Sequence, residues 1–340
     1  MKKIIGLLLG MLLGVGAWAA PITYSGQLTY GFTFNDAAYQ NSYANAYLYL
    51  VGTLSPDTSA TVKMAANFRN LGAGFPASLT EYFVSQNIGK LIGADPKVLS
   101  LYVDMGVKDM TAVTFPISDF SMENVAAYDP GAMDVVALRA KIADLINVNA
   151  WINPMGTLGT AWNATTNRSR ATVNAWLPIG PFNVSAWYAS NGQTSEKGKI
   201  GSSIGVSIPI GPVSIGADLE TATDLSVTTL NTNWGSAVQI GYSGFYIGAE
   251  LIGDQVKLVE SALEFQGTLL PWLGFNTGAN FDMVAMKLDS AELGGWVKFA
   301  DGLKFRFGYL VTDNGGHGYS MYCPNPLTAG GLFLKANLSF

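Results

Sequence analysis

The sequence predicts an all-β fold, namely a transmembrane antiparallel up-and-down β-barrel of about 18 strands, with 16 as the rival count. Apolar and polar residues alternate along nearly the whole chain, in segments of about 8–13 residues, as in strands that have one apolar and one polar face. The composition is 49% hydrophobic but only 13% charged. Short and long connections interleave between the segments, which places all the short turns at one end of the barrel.

The chain begins with MKKIIGLLLGMLLGVGAWAAP, which has the features of a secretory signal peptide. Two lysines form a positive n-region, an apolar stretch follows, and Ala17-Trp18-Ala19 form a small-x-small cleavage site. We therefore expect residues 1–19 to be a signal peptide and residues 20–340 to form a single transmembrane barrel. The alternative, a membrane anchor, is disfavoured because the apolar run is shorter than the about 20 residues that a spanning helix needs.

The composition disfavours several other classes of protein. The net charge of −5 becomes about −7 when the two leader lysines are removed, which argues against a nucleic-acid partner. The single cysteine, Cys323, cannot form an intramolecular disulfide. After the leader, no run of about 18 apolar residues would make a spanning helix. High hydrophobicity without such a helix is typical of a barrel, because half of each strand faces lipid.

Eighteen segments qualify as strands in this pattern. The segment 303–312 is among the clearest, since Leu303, Phe305 and Phe307 alternate with Lys304 and Arg306. The predicted strands are near 22–34, 42–54, 59–69, 98–108, 111–117, 134–143, 146–153, 170–177, 182–190, 199–208, 213–222, 235–242, 245–252, 259–269, 273–283, 290–299, 303–312 and 329–340. The fifth and seventh are short, which keeps the count of 16 open.

The connections carry turn chemistry at one end of the predicted barrel. The short ones contain Pro, Gly and Asp, the residues that tight turns require, and they lie at 55–59, 107–110, 143–145, 178–181, 209–212, 242–245, 270–272 and 300–302. The long ones are polar, as at 190–199 and 312–329. Residues 76–94 lack alternation, and we predict that they form a helical insert within a long external loop.

Aromatic residues cluster at the short-turn ends of the strands. They are Phe182, Tyr242, Phe245, Trp272, Phe299 and Phe340. This placement favours a girdle at the membrane–water interface, whereas a soluble sandwich would bury its aromatics in the middle of strands. On the opposite strand faces, charged residues such as Lys63, Asp104 and Glu264 recur. A dry core could not hold that many charges, but a barrel of 16–18 strands encloses water.

Together these features resemble a Gram-negative outer-membrane porin. The resemblance covers the whole mature chain, is architectural, and extends to a terminal strand that ends in an aromatic residue, Phe340. It implies a water-filled channel in the cell outer membrane for passive diffusion of small hydrophilic solutes and ions. It also implies a homotrimer embedded in outer-membrane lipid, and recognition of Phe340 by the barrel-assembly machinery, so that deleting Phe340 would impair assembly.

The resemblance also implies a pore constriction. In porins the loop after the fifth strand folds into the lumen, and here that loop is 117–134, although it lacks the Pro-Glu-Phe-Gly pattern of general porins. The implied constriction sets loop carboxylates against a basic wall and comprises Asp119, Glu123, Asp129, Asp134, Lys63, Arg69, Arg139 and Lys141. An exposed loop with ordinary surface acids is the alternative. The loop acids and the negative net charge predict a weak preference for cations.

Other functions have weaker support in the sequence. Hydrolytic enzymes usually need a histidine as general base, and the only one, His317, lies in the Gly-rich stretch NGGHGY. Together with Cys323 it makes a poor metal site, so we expect no catalysis, no metal and no cofactor. Two alternatives to a diffusion porin stay open: a substrate-specific channel, and a structural or adhesive surface barrel without an open pore.

Overall fold

A computed structural model describes residues 22–34, 39–67, 77–116, 125–126, 128, 132–153, 170–190, 198–225, 230–312 and 331–339. The predicted signal peptide and Phe340 lie outside these residues, as do His317 and Cys323. The described residues form one antiparallel sheet of 18 strands. Each strand pairs with its neighbours in sequence, and β1 also pairs with β18. The predicted closed up-and-down barrel is therefore confirmed, with the larger of the two strand counts.

The strands alternate in direction around the barrel. They are β1 (Ile22–Phe34), β2 (Tyr39–Ser55), β3 (Thr58–Asn67), β4 (Ala77–Asn87), β5 (Leu99–Asp109), β6 (Ala132–Ile142), β7 (Ile146–Asn153), β8 (Arg170–Ile179), β9 (Phe182–Ala189), β10 (Lys199–Ile210), β11 (Val213–Asp224), β12 (Asn231–Tyr242), β13 (Phe245–Asp254), β14 (Lys257–Leu270), β15 (Leu273–Asp282), β16 (Lys287–Ala300), β17 (Leu303–Thr312) and β18 (Gly331–Ser339). One helical turn, α1 (Ile88–Leu91), follows β4.

The two faces of the sheet differ as the alternation predicts. On β16, Leu293 and Phe299 are exposed at 68% and 69%, whereas Glu292 on the other face is 2% exposed. Because apolar side chains are stable in lipid and charged ones are not, the apolar face points outward and the polar face lines the lumen.

In the part of the chain that the structure describes, no helix has the length and apolar character needed to cross a membrane.

Tight turns join the strands at the end of the barrel where β1 begins. Gly180, Gly211, Gly244 and Gly302 lie in two-residue connections and have φ angles of 60°, 62°, 85° and 82°. Glycine adopts positive φ without a steric cost, so these positions allow the reversal of the chain. The aromatics predicted beside these turns, apart from Phe340, are exposed at 36–69%: Phe182, Tyr242, Phe245, Trp272 and Phe299.

The predicted helical insert at 76–94 is wrong. Residues 77–87 form β4, and only the four residues of α1 are helical. The alternation of β4 is interrupted because Thr80 forms a bulge: Lys63 pairs with Glu81, whereas the next residue of β3 pairs with Leu79. A bulge moves all later side chains to the other face. The connection that contains α1 also lies at the short-turn end, rather than in an external loop.

The predicted strand at 111–117 is also wrong, so the count of 18 was reached by two compensating errors. Residues 110–116 lie outside the sheet. They alternate because the segment is extended over the inner face of the barrel, where side chains of the wall accept hydrogen bonds from the backbone N–H groups of Val113 and Phe115. Alternation indicates an extended chain, but it does not identify the partner of the backbone.

Candidate functional site: the lumen wall

The lumen wall consists of the inward side chains of the strands, together with a stretch of chain that lies against them. We call this stretch the inner segment, defined as the described residues 110–116, 125–126 and 128. It belongs to the connection between β5 and β6, which contains the predicted loop 117–134. The inner segment contacts β8 to β12, so it covers one side of the wall.

The first part of the inner segment is bound through its backbone. The N–H of Val113 donates to Asn174 Oδ1 at 2.9 Å, and the N–H of Phe115 donates to Ser203 Oγ at 2.8 Å. Asn174 and Ser203 are 0% and 2% exposed. The carbonyl of Phe115 lies so close to Gly205 that a Cβ there would overlap it. Small and amide side chains on the wall thus supply both the space and the hydrogen bonds that an extended backbone needs.

The second part is bound at Ala126 and Tyr128. The N–H of Ala126 donates to Glu220 Oε2 at 3.1 Å, and the indole N–H of Trp187 donates to the carbonyl of Ala126 at 2.7 Å. The Trp187 and Tyr128 rings stack with their centroids 5.0 Å apart. Trp187 lies over Gly201, where a Cβ would overlap the indole. Both backbone groups of Ala126 are therefore satisfied by the barrel wall.

A second feature of the wall is a buried charged cluster on β4 to β6, which we call the Asp104 centre. Arg139 donates to Asp104 from Nε and Nη2 at 2.7 and 2.9 Å, and Lys108 donates to the same carboxylate. Asp104 is 0% exposed. Arg139 also donates to Ser85 Oγ at 2.9 Å, and its guanidinium lies 5.2 Å from the centroid of the Tyr102 ring. A bidentate pair in this setting fixes the arginine rigidly.

Three predicted constriction residues lie on the lumen face. Lys63 pairs with Glu81 at 2.7 Å, Arg139 belongs to the Asp104 centre, and Lys141 pairs with Asp144 at 2.9 Å near a short turn. The structure therefore gives each of these cations a partner on a neighbouring strand or in the adjoining turn.

The other predicted constriction residues differ in position. Asp134 pairs in register with Val107, and it alternates with the inward Met133 and Val135, so it lies on the outer face. Arg69, Asp119, Glu123 and Asp129 lie outside the described residues. The interaction of the loop acids with the basic wall stays a prediction.

Several wall residues were missed as site residues. Sequence alternation places Asp104, Trp187 and Glu220 inward, but nothing in the spacing indicates which of them contact the inner segment or which cations surround Asp104. These contacts join residues far apart in sequence, such as Ala126 with Glu220.

The inward acids of β11 to β16 form a third feature. Five of them are at most 9% exposed: Asp218, Glu220, Glu250, Glu264 and Glu292. Their direct cross-strand partners are uncharged and mostly small, namely Gly205, Ser203, Ala237, Gly235, Ala262, Gly248, Gly278 and Leu310. No two of these acids are directly opposed across strands, although Asp218 and Glu220 are successive inward residues of β11.

The inward cations of β17 and β18 form a fourth feature. We call Lys304, Arg306 and Lys335 the basic cluster. Arg306 and Lys335 are directly opposite each other in register, and Lys304 is the next inward residue along β17. The Lys304 ammonium lies 4.2 Å from the centroid of the Trp296 ring, which supports it from β16.

Lys298 lies directly opposite Lys304 and is the nearest further cation. Its ammonium pairs with Asp301 in the adjoining short turn at 2.7 Å. The hydrogen bond from Lys298 lowers the pKa of the exposed Asp301 carboxyl below its ordinary value. The turn therefore provides an anion for Lys298, and we do not include this residue in the basic cluster.

The described residues contain no group of three or more His, Cys, Asp or Glu side chains placed to hold a metal ion.

No model of a known protein family matches the sequence, and no curated protein matches it. Solved structures do match the fold. Pseudomonas aeruginosa OprD has a TM-score of 0.60 at 11% identity, with 94% of this chain and 95% of that chain covered. Pseudomonas aeruginosa OccK2 has a TM-score of 0.59 at 10% identity, covering 94% and 96%. A mutant of Rh. blastica porin has a TM-score of 0.53 at 12% identity, covering 94% and 100%. The chain has the barrel fold of these outer-membrane proteins.

Proposed function

We propose that this protein is an outer-membrane porin, a water-filled channel through which small hydrophilic solutes and ions diffuse passively. The fold it has in common with a porin supports the outer-membrane location, and the signal peptide predicted at residues 1–19 supports export. By the same resemblance, we propose assembly as a homotrimer and recognition of Phe340 by the barrel-assembly machinery.

The observation that carries the proposal is the nature of the inner face. Charged and amide side chains line it on most strands, including the Asp104 centre, the basic cluster and the buried acids. A closed sheet of this width is too wide for side chains alone to fill, and charges are stable there only in contact with water or with partners. The described part of the inner segment contacts β8 to β12, which supports a narrowed rather than a filled lumen.

We further propose that the connection between β5 and β6 narrows the channel. Its acids Asp119, Glu123 and Asp129 would face the lumen cations Lys63, Arg139 and Lys141, and Arg69 would belong to the same wall. Since the connection also contains the inner segment, hydrogen bonds at Ala126 would hold the acids at a fixed position. A solute in transit would then cross a transverse electric field.

Conductance measurements on the purified protein test this function. Insertion into planar bilayers in concentrated KCl should give discrete steps on the nanosiemens scale. A folded, inserted barrel without such steps would contradict the channel and favour a surface barrel with a blocked lumen.

A pair of variants then tests the constriction. Asp129→Ala should change the step size and the reversal potential in a salt gradient, because it removes a charge from the narrow part of the lumen. Asp134→Ala is the matched control, since Asp134 lies on the outer face of β6. Equal behaviour of the two variants would contradict the assignment of the constriction.

A further inference from the structure

Aromatic side chains are unevenly distributed over the outer face of the barrel. On β9 to β17 the exposed outward side chains include the aromatics Phe182, Tyr188, Tyr242, Phe265, Phe307 and Tyr309. On β2 to β8, Tyr82 is the one aromatic among the outward side chains that the structure describes. We call the outer face of β2 to β8 the aliphatic sector. Since aromatics are typical of barrel surfaces at the membrane–water interface, the two parts of the outer face have different surroundings.

The short-turn end of the barrel shows the difference clearly. At the ends of β2, β6, β7 and β8, the exposed side chains are Leu54, Ile142, Ile146 and Ile179. The turn between β10 and β11 has aliphatic neighbours too, but aromatics of the girdle flank it on β9 and β12. The girdle resumes on β1 with the exposed Tyr24. It is therefore interrupted over the aliphatic sector.

The aliphatic sector contains a depression of about 270 Å³ on β5 to β8. Ala150 lines it and is directly opposed in register by Leu138 on one side and Val173 on the other. The next outward residue of β7, Ile152, also lines the depression. Alanine is shorter than these three neighbours, so a hollow remains between them.

A hollow of this kind favours a protein partner of matching shape. Within a membrane the lipid tails are as apolar as aliphatic side chains, so association depends on close packing and on small residues that permit it. The aliphatic sector also has projecting side chains, since Leu79 on β4 and Met105 on β5 are more than half exposed. A head-to-tail ring joins two different patches of the same chain, and this sector offers both a hollow and projecting groups.

The size of the aliphatic sector fits a contact between copies. Seven strands about 4.8 Å apart, with an apolar band about 25 Å tall, present about 800 Å². This is comparable to the area that each partner buries in a stable interface. Seven of the 18 strands span about 140° of the circumference, whereas the two neighbours of a copy in a three-fold ring lie about 60° apart. One continuous sector can therefore face both neighbours.

We propose that the aliphatic sector is the surface through which copies of this chain meet, with β4 and β5 of one copy packed against the hollow at Ala150 of the next. This proposal rests on the homotrimer of the proposed function and assigns its contact surface. The aromatic residues of β9 to β17 and of β1 then face lipid around the outside of the trimer.

The access of oxygen to two matched positions tests the assignment. Leu138 and Val238 point outward, are 41% and 48% exposed, and both lie four residues before the short-turn end of their strand. Leu138 borders the hollow, whereas Val238 lies on β12. Nitroxide labels are attached to Leu138→Cys or Val238→Cys in a Cys323→Ser background, and the protein is reconstituted in vesicles. Collisions with dissolved oxygen, which concentrates in lipid, should be several-fold rarer at position 138, because a protein interface is packed like a protein interior.

Filling the hollow is the second test. Ala150→Trp places an indole between Leu138 and Val173, so a neighbouring copy cannot pack there. Native mass spectrometry from detergent should show loss of the trimer, with the mass of the particle falling about threefold. Ala249→Trp is the matched control, since Ala249 faces outward on β13, and this variant should keep the trimer.

The possible outcomes separate the proposals. A trimer that survives Ala150→Trp, or in which the two labels collide equally with oxygen because acyl chains fill the hollow, would overturn the aliphatic sector as the contact surface and leave the homotrimer intact. A wild-type particle with the mass of a monomer would overturn the homotrimer and its contact surface together. The channel is tested independently by the conductance steps, since the lumen belongs to each barrel.

Discussion

Two groups of cations on the lumen wall differ in the charge of their neighbouring side chains. In the Asp104 centre, Arg139 and Lys108 surround a carboxylate that is 0% exposed, and Arg139 bonds both of its oxygens. In the basic cluster, Arg306 faces Lys335 directly across the strands. The first group surrounds a carboxylate, whereas the second sets two cations directly opposite each other in register.

The difference indicates that charged and polar side chains of the lumen wall have two separate roles. Groups that bond to other protein groups fix the shape of the lumen, as the Asp104 centre does on β4 to β6 and as Glu220 and Trp187 do for the inner segment. Groups that have like charges as neighbours contribute instead to the electrostatic potential of the lumen. Four changes test this division, and they are ordered here from the largest expected effect to the smallest.

Asp104→Asn should have the largest effect. It leaves Arg139 and Lys108 beside a neutral side chain, and breaking a buried ion pair costs about 3 kcal/mol. Urea unfolding in detergent or lipid, followed by tryptophan fluorescence, should show this loss in the free energy of unfolding. Asp301→Asn is the control, because the Asp301 side chain is fully exposed in its pair with Lys298. The stability of this variant should therefore be indistinguishable from that of the wild type. Equal free energies of unfolding for the two variants would contradict a structural role for the Asp104 centre.

Gly205→Ala should follow. A Cβ at this position would overlap the carbonyl of Phe115, so the inner segment must shift from the wall, at a cost of about 1–3 kcal/mol for overpacking. The shift should change the single-channel conductance as well as the stability. Gly52→Ala is the control, since a Cβ there meets no atom within 4 Å. If both variants have the single-channel conductance of the wild type, the contact between the inner segment and β10 does not determine the width of the channel.

Trp187→Phe should have a smaller effect. It removes the hydrogen bond to the buried carbonyl of Ala126, worth about 1 kcal/mol, and retains an aromatic ring beside Tyr128. We expect noisier open-channel current and faster proteolysis in the β5–β6 connection. Trp234→Phe is the control, because that indole donates to the exposed carbonyl of Gln255 at the barrel rim. Identical current noise in the two variants would argue against the inference that Trp187 holds the inner segment against the wall.

Asn337→Asp should have the smallest effect on stability, with the opposite sign. It places a carboxylate directly opposite Lys304, which should raise the free energy of unfolding by less than about 1 kcal/mol. Asn183→Asp is the control, since Asn183 is opposed by Gly205 and Pro178. A free energy of unfolding for Asn337→Asp no higher than that for Asn183→Asp would show that a carboxylate opposite Lys304 gives no stabilisation.

Much of the fold could be predicted because a strand in a membrane barrel meets only two environments. Alternation located most strands and the inward positions of Lys63, Arg139 and Lys141. It failed at Thr80, where a bulge changes the face of every later residue of β4, and at residues 110–116, where an extended chain has side chains of the wall as partners. The same alternation places Asp134 on the outer face of β6. Its assignment to the loop 117–134 therefore did not predict its position.

The sequence by itself determined the barrel, because lipid on one side and water on the other impose a period of two on every spanning segment, and turn residues mark where the chain reverses. It also determined which charges face inward. Only the tertiary structure decided which of those charges neutralise one another, which hold the inner segment, and which stand side by side. These relations depend on the register between strands and on contacts such as that of Ala126 with Glu220, and neither follows from local periodicity.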